Sequence, residues 1–191
     1  MRVLTSAEIR FILGIIPKRS PFGARDRAML IFLLHTGLRV SEICGLTVRD
    51  VMQWSSPRRM LDLPGHLGKG GSPRLIPLNT TAREAVATLV HFNQSRGFSI
   101  APEAPLLVNR RGQALPIRTF QHLVQGYREA AQLSDRITPH AFRHTMATEL
   151  VSTTGNLRVA QAILGHRRLN TTQVYTHPSP ADLTQAMDTI G

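Results

Sequence analysis

The residues whose types and spacing point most clearly to chemistry lie in the segment ITPHAFRHTMATE, residues 137–149. His140 and Arg143 are three residues apart, so on a helix they share one face. Thr138 and Pro139 are typical of a helix N-cap and a first helical residue, which places both side chains near a helix N-terminus. Backbone N–H groups and the helix dipole favour an anion at that end. The segment therefore predicts a site for an anionic group.

A zinc site is one alternative for this segment, because His140 and His144 have the i,i+4 spacing of two metal ligands. The H-E-x-x-H motif, however, needs a glutamate where Ala141 stands. Arg143 would also place a fixed positive charge beside the metal. These features disfavour zinc, and a surface helix with solvated His and Arg side chains remains the other alternative.

Two further segments contain residues suited to a phosphate. Arg39, in HTGLRVSEICGL, follows a predicted helix end, and its planar, permanently charged guanidinium matches phosphate geometry. Glu42, one helical turn later, is interpreted as a partner that holds an arginine in place, not as a proton carrier. His166, in ILGHRRLNTTQVYTHP, follows Gly165 at another predicted helix end.

The chain has only two tyrosines and two lysines, and one of each stands out. Tyr175 lies in a polar neighbourhood nine residues after His166, whereas Tyr127 lies on an apolar helical face and is interpreted as a core residue. From local sequence alone, Tyr175 could equally be a capping aromatic with a hydrogen-bonded hydroxyl. Lys69 lies in the Gly-rich turn GHLGKGGSPR, in a chain whose other cations are all arginines except Lys18.

The elements that must position these residues are mostly helices. Capping boxes at Thr5 to Glu8 and Thr81 to Glu84 predict two helix starts. Helix ends are predicted at Gly37 and Gly165, because glycine adopts the left-handed conformation that closes a helix. Predicted helices occupy TSAEIRFILGIIP, ARDRAMLIFLLHT, a short piece opening at Ser41, TTAREAVATLVHF, residues 117–133, HAFRHTMATELV, Asn156 to Gly165, residues 171–176 and a final piece after Pro180.

Two short segments with strand character flank the Gly-rich turn. Residues 59–63 (RMLDL) and 74–78 (RLIPL) predict a β-hairpin whose turn contains Lys69. The sequence contains no internal repeat and no low-complexity linker. The expected fold class is therefore α+β, mainly α-helical with one small antiparallel β-sheet.

Composition narrows the class of protein further. The chain has 191 residues, a formal net charge of +11 and 42% hydrophobic residues, which allow one folded domain with a basic surface. Cys44, the single cysteine, is expected to be buried and unreactive, and one cysteine fits a reducing compartment. No segment approaches the ~18 consecutive apolar residues of a membrane span, and the N-terminal segment MRVLTSAEIRF lacks the apolar run of a signal peptide, so neither is expected. A cytoplasmic protein with a polyanionic partner is expected.

Taken together, the motifs resemble those of the tyrosine recombinase family, also called the phage integrase family. TGLRVSEICGL, HAFRHTMAT and LGHRRLNTTQVYTH look like the three catalytic boxes of the family, in the same order. The hairpin GKGGSPRLIPL is similar to the one that carries the catalytic lysine. The likeness covers nearly the whole chain from LTSAEI onward and is greatest to Xer-type and transposon-type members.

The resemblance implies a role for each matched residue. Tyr175 would be the nucleophile that attacks the scissile phosphate of DNA. Arg39 and Arg143 would bind the non-bridging oxygens of that phosphate. His166 would add a hydrogen bond, and His140 would accept a proton.

By the same resemblance, Lys69 would protonate the leaving 5′ oxygen. The chemistry gives a reason for lysine there, because arginine, with a pKa above about 12, is a far poorer proton donor than lysine. A phosphotyrosine bond would replace a phosphodiester bond of similar energy, so no ATP is needed. The sequence near the boxes has no carboxylate cluster for Mg²⁺, so the expected reaction uses no metal and no cofactor.

The sequence also departs from the family pattern. Arg167 and Arg168 stand where small polar residues are common, and they are expected to add phosphate contacts. Family members usually have an N-terminal, DNA-clamping domain before the catalytic domain. Here the likeness to the catalytic domain begins near residue 4, so we expect residues 1–191 to form a single catalytic domain without that clamp, either as a natural single-domain protein or as part of a longer one.

The expected partner is double-stranded DNA, on which the family works as a synapsed tetramer. Near the C-terminus an apolar stripe, formed by Leu183, Ala186, Met187 and Ile190, could dock on a neighbouring subunit or pack on its own domain. The free protein is expected to be a monomer. Two other functions stay open, a type IB topoisomerase that relaxes DNA and a non-catalytic DNA-binding protein.

Overall fold

The computed structural model describes residues 2–67, 73–133, 137–165 and 180–190. The helices of these ranges are α1 (Ser6–Ile15), α2 (Gly23–Thr36), α3 (Val40–Gly45), α4 (Val48–Val51), α5 (Thr80–Ser95), α6 (Ile117–Ala130), α7 (Pro139–Thr154), α8 (Leu157–Leu164) and α9 (Pro180–Asp188). The strands are β1 (Met52–Gln53), β2 (Ser56–Pro57), β3 (Met60–Leu63) and β4 (Arg74–Pro77), and a short 3₁₀ turn spans Gly65–Leu67. The mainly helical α+β class is confirmed.

Helix α2 forms the centre of the core, packed against α5 along one side and α7 along another. Its side chains Met29, Phe32 and Leu33 are completely buried. Apolar residues occupy more than one face of α2, which explains why the helix can be surrounded by neighbours. Removal of this apolar surface from water is the main stabilising contribution to the fold.

Two predicted helix boundaries are confirmed by their hydrogen bonds. The Thr5 hydroxyl accepts a hydrogen bond from the Glu8 N–H at 3.2 Å, and the Glu8 carboxylate accepts one from the Thr5 N–H at 2.9 Å. At the end of α2, Gly37 has a φ of 60° and donates its N–H to the Leu33 carbonyl at 3.0 Å. A Cβ at Gly37 would lie only 2.9 Å from a Leu164 methyl carbon, so the close contact and the left-handed backbone both favour glycine.

The predicted capping box at Thr81 to Glu84 is wrong. Helix α5 begins earlier, and its N-cap is Asn79, whose side-chain oxygen accepts a hydrogen bond from the Ala82 N–H at 2.9 Å. The Asn79 amide also donates to the Met187 carbonyl of α9 at 3.2 Å. This long-range contact holds Asn79 in a buried position, so the tertiary structure selects a cap that local sequence did not predict.

The predicted β-hairpin is confirmed, with strands one residue shorter than expected. Strands β3 and β4 pair antiparallel, with Leu61 opposite Ile76 and Leu63 opposite Arg74. The turn residues 68–72, which include Lys69, lie outside the described residues. The expectation of one sheet needs correction, because β1 and β2 form a second two-stranded hairpin. These strands have only two residues each, too short to produce an alternating pattern.

The C-terminal helix α9 packs on its own domain. Its apolar residues Leu183, Ala186 and Met187 are buried, and the helix contacts β4, α7 and α8. Of the two alternatives for the apolar stripe, this arrangement corresponds to packing within the subunit. The predicted helix at residues 171–176 falls outside the described residues. Among the helices that are described, none is both long and apolar enough to cross a membrane.

Candidate active site

The candidate site is organised by Glu42, an anionic side chain that is completely buried in α3. Arg39 is the N-cap of that helix, and its backbone N–H donates to Glu42 Oε2 at 2.7 Å. Nη1 of the Arg39 guanidinium donates to Glu42 Oε1, also at 2.7 Å. One carboxylate therefore closes the start of α3 and holds the arginine that precedes it, as the sequence interpretation of Glu42 expected.

A second arginine, which the sequence analysis missed, makes the most extensive side-chain contact with Glu42. Arg74, the first residue of β4, donates from Nη1 to Oε1 at 2.9 Å and from Nη2 to Oε2 at 2.8 Å. Its Nε donates to the Ile163 carbonyl in α8 at 2.8 Å. This two-pronged geometry is the strong form of an arginine–carboxylate pair.

A signal for Arg74 was present in the strand pattern. Residues two apart on a strand point to the same face, so Arg74 shares the inner face with the buried Ile76, whereas Leu75 is exposed. A charged side chain on a core-facing position requires a buried partner. The pattern could have predicted that Arg74 is paired, although it could not have named Glu42.

The arginine contacts keep Glu42 ionised. Burial by itself raises the pKa of this carboxyl group, but hydrogen bonds from Arg74 and Arg39 lower it more, and the resulting pKa is about 2. Glu42 is therefore a fixed negative charge near neutral pH, unsuited to carrying protons during a reaction.

Arg143 reaches the same cluster from the first turns of α7. Its Nη1 donates to the Gly37 carbonyl and its Nη2 to the Leu164 carbonyl, the latter at 2.6 Å. These carbonyls terminate α2 and α8, where helix ends carry unpaired acceptors and partial negative charge. Nη1 also lies 4.0 Å from Glu42 Oε2. Three arginines thus share one buried carboxylate.

The environment of Arg143 is unusual for an arginine. Only 6% of its side chain is exposed. Burial lowers the pKa of Arg143 to about 10, and the positive charge of Arg39 contributes to the decrease. The group still carries its charge at neutral pH, in surroundings where water screens that charge weakly.

The two histidines of α7 differ in exposure. His140 is exposed in the first turn, three residues before Arg143, and His144 is partly buried one turn later. Burial lowers the pKa of His144, with a smaller contribution from His140. Across the described ranges, no three side chains of the types His, Cys, Asp or Glu cluster closely enough to hold a metal ion.

The structure therefore brings Arg39 and Arg143 together and places His140 on the same helix as Arg143. Lys69, His166 and Tyr175 belong to segments outside the described residues. The buried, unreactive state expected for Cys44 agrees with the structure, where burial raises the pKa of its thiol to about 12. Tyr127 packs against the core but is only partly buried.

A mainly helical fold with small antiparallel hairpins and an arginine cluster around one glutamate agrees with the tyrosine recombinase catalytic domain that the sequence motifs resemble. The comparison with family models agrees, since the model of the phage integrase family matches residues 2–182. The chain belongs to this family.

Curated relatives of similar sequence are Xer recombinases. The chain is 35% identical over 185 residues to the tyrosine recombinase XerD of Vibrio cholerae, an alignment that covers 95% of this chain and 59% of that protein. It is 36% identical over 182 residues to the tyrosine recombinase XerC of Bacillus subtilis, covering 93% of this chain and 57% of the relative. The chain thus spans a little over half the length of these relatives.

Solved structures with the same fold include DNA-bound proteins. The XerH site-specific recombinase bound to its difH substrate superposes with a TM-score of 0.70 at 22% identity, covering 89% of this chain and 48% of that one. The integrase of the transposon Tn1549 in complex with transposon right-end DNA gives 0.68 at 26% identity, covering 87% and 58% respectively.

Proposed function

We propose that this chain is the catalytic domain of a site-specific DNA recombinase that cuts and rejoins DNA through a 3′-phosphotyrosine intermediate. The observation that carries the proposal is the convergence of Arg39 and Arg143 on Glu42 from segments about a hundred residues apart. A cluster of three arginines and one carboxylate has a net charge of about +2, which suits a phosphodiester whose charge increases in the transition state.

In the proposed cleavage step, the Tyr175 oxygen attacks the phosphorus and the bond to the 5′ oxygen breaks. Arg39 and Arg143 stabilise the charge on the non-bridging oxygens, and His166 adds a hydrogen bond. His140 accepts the phenol proton, while Lys69 gives a proton to the leaving 5′ oxygen. Atoms and charge balance without a metal ion, ATP or a cofactor, and reversal of the step rejoins the strand.

The other tyrosine supports Tyr175 as the nucleophile. The Tyr127 hydroxyl donates to the buried Asp26 carboxylate at 2.6 Å, and burial together with this hydrogen bond raises the pKa of Tyr127. Asp26 lies near the start of α2, whereas Arg143 binds at Gly37 beyond its end. At 1.5 Å per residue, the two points are roughly 16 Å apart along the helix.

Arg39 is placed to contact a substrate. Its side chain is 23% exposed, and within the described residues only Nη1 of its guanidinium has a hydrogen-bond acceptor. The remaining donors are free to bind phosphate oxygens. Loss of one such preorganised donor would slow the reaction by about 10²–10³-fold.

Double-stranded DNA is the proposed partner, bound by a protein of net charge +11. Neutralisation of several phosphates should make the affinity fall steeply with salt. We also propose a synapsed tetramer on DNA. Because α9 buries its apolar face against its own domain, any tetramer contact that uses this face requires the helix to leave β4.

The test is formation of a covalent complex on a nicked suicide DNA substrate in the presence of EDTA. The proposal expects an adduct that persists in EDTA and is absent from Tyr175→Phe, with Tyr127→Phe as the matched control that retains it. If wild-type protein that is folded and bound to DNA yields no adduct, the chain is a DNA-binding protein and the proposal is wrong. A plasmid assay then separates strand exchange from the relaxation expected of a type IB topoisomerase.

A further inference from the structure

Arg74 connects three separate parts of the candidate site. It lies in β4, its two terminal nitrogens bind Glu42 of α3, and its Nε binds the Ile163 carbonyl in the last turn of α8. Along the sequence, β4 follows Lys69 by five residues, and α8 ends two residues before His166. One side chain thus joins three elements that are close in sequence to the proposed catalytic residues Arg39, Lys69 and His166.

The contacts of Arg74 favour a structural role over direct contact with the substrate. All three nitrogens of its guanidinium already donate within the protein, and only 8% of the side chain is exposed. Arg39, bound to the same carboxylate, is more exposed and uses a single guanidinium nitrogen there. Arg39 is therefore the arginine that can contact a substrate, whereas Arg74 makes its contacts inside the protein.

The backbone around Arg74 is shaped to accept it. Gly165 closes α8 with a φ of 67°, and a Cβ at this position would lie 3.0 Å from Cδ and 3.3 Å from Nε of Arg74. Because Gly165 has no side chain, the aliphatic part of Arg74 can pack close to the end of α8 while its guanidinium contacts Glu42. Left-handed geometry and the close approach both favour glycine at this position.

We propose that Arg74 is a positioning residue for DNA cleavage, which fixes Glu42, and through it the Arg39 guanidinium, relative to the end of α8. The inference rests on the proposed function and adds a residue to it. Fixed placement matters because misplacement of a catalytic group by about 1 Å can slow a reaction by roughly 10²-fold.

This role has a consequence for pH dependence. Within the described ranges, the charged groups that face Glu42 are Arg39 at the start of α3, Arg74 on β4 and Arg143 on α7. Without Arg74, burial raises the pKa of Glu42 and the hydrogen bonds of Arg39 are the main opposing contribution. Protonation of Glu42 in mildly acidic solution would then release Arg39. The cleavage rate of the variant should therefore fall at acidic pH, and this fall is called the acidic limb of its pH profile.

The experiment compares Arg74→Met with Arg10→Met, a matched control that removes one positive charge from an exposed position of α1. Single-turnover cleavage of the suicide substrate is measured from about pH 8 to pH 5, at saturating and at half-saturating DNA. Thermal unfolding shows that each variant is folded. Arg74→Lys, which keeps the charge without the two-pronged geometry, serves as the milder variant if Arg74→Met does not fold.

We expect Arg74→Met to cleave about a hundredfold more slowly than Arg10→Met at saturating DNA. The difference should widen as the pH falls, and Arg74→Lys should be intermediate without the acidic limb. Adding Glu42→Gln to Arg74→Met should abolish the limb, because the amide does not titrate. A merely structural role would lower stability without creating a pH limb that depends on Glu42.

The outcomes separate this inference from the proposed function. If wild type and Arg10→Met form the adduct and Arg74→Met does so with an equal rate and pH profile, the positioning role is refuted and the proposed function stands. The same holds if the defect of Arg74→Met disappears at saturating DNA. If wild type forms no adduct, the proposed function fails, and the role of Arg74 in cleavage fails with it.

Discussion

Replacement of Glu42 by glutamine should lower the free energy of unfolding at pH 7 by about 3 kcal/mol. The carboxylate is fully buried and accepts hydrogen bonds from Arg39 and Arg74. Glutamine keeps one oxygen but replaces the other by an NH₂ group, which would face the N–H donors of the arginines. The change therefore leaves buried positive charge without its counter-ion.

Two separate arguments give the size of this loss in the free energy of unfolding. The pKa of Glu42 decreases from 4.5 to about 2, a difference worth about 3 kcal/mol at 1.36 kcal/mol per pKa unit. Breaking a buried ion pair by removing one partner costs about 3–5 kcal/mol. For a domain of this size, such a loss lowers the melting temperature by roughly 6–12 °C.

The sign of the pH dependence is defined by the lowered pKa. The contribution of ionised Glu42 is fully present above its unfolded pKa of 4.5 and is lost as the pH falls through its folded pKa of about 2. The stability difference between wild type and Glu42→Gln should therefore be constant near neutral pH. It should shrink between pH 4.5 and pH 2.

Equilibrium denaturation by urea, followed by circular dichroism at several pH values, measures this difference. Glu84→Gln is the matched control, because Glu84 is exposed on α5 and its replacement should change stability by no more than about 0.5 kcal/mol. A Glu42→Gln protein as stable as Glu84→Gln at pH 7 would show that the arginine cluster does not depend on this carboxylate.

Three further predictions concern the fold. Gly37→Ala should destabilise the protein by about 1–3 kcal/mol, because the left-handed backbone is strained and the new Cβ makes a close contact. Gly97→Ala is the control and should cost less, because a Cβ there meets no atom within 4 Å. Urea denaturation of both variants measures the difference in the free energy of unfolding. Asn79→Ala should cost about 1 kcal/mol through loss of the α5 cap. In thermal unfolding, Thr81→Ala should leave stability nearly unchanged. A larger loss of stability for Thr81→Ala than for Asn79→Ala would show that Thr81 is the N-cap, as the sequence predicted. Cys44 should resist alkylation by iodoacetamide in the native protein at pH 8 and react after denaturation, because it is buried and its thiol pKa is about 12.

Local sequence determined most of the longer elements and several of their boundaries. The capping box of Thr5 and Glu8 and the glycines that close α2 and α8 act over only a few residues, so their types and spacing were sufficient. The β3–β4 hairpin was predicted for the same reason, since strand alternation and a Gly-rich turn are local. The residue types of Arg39 and Arg143 also indicated phosphate chemistry before any contact was known.

Only the tertiary structure decided which side chains meet. Arg74 and Glu42 are 32 residues apart, and Arg143 binds the ends of two helices 106 and 21 residues away. Such pairings depend on how whole elements pack, and no periodicity of a single segment encodes the packing. The surroundings of Asn79 and the docking of α9 also depend on packing, because the Asn79 amide donates to the distant Met187 carbonyl and α9 packs on β4, α7 and α8. Sequence by itself therefore pointed to Arg39, Glu42 and Arg143, while packing added Arg74 and decided that a single buried carboxylate would hold these arginines together.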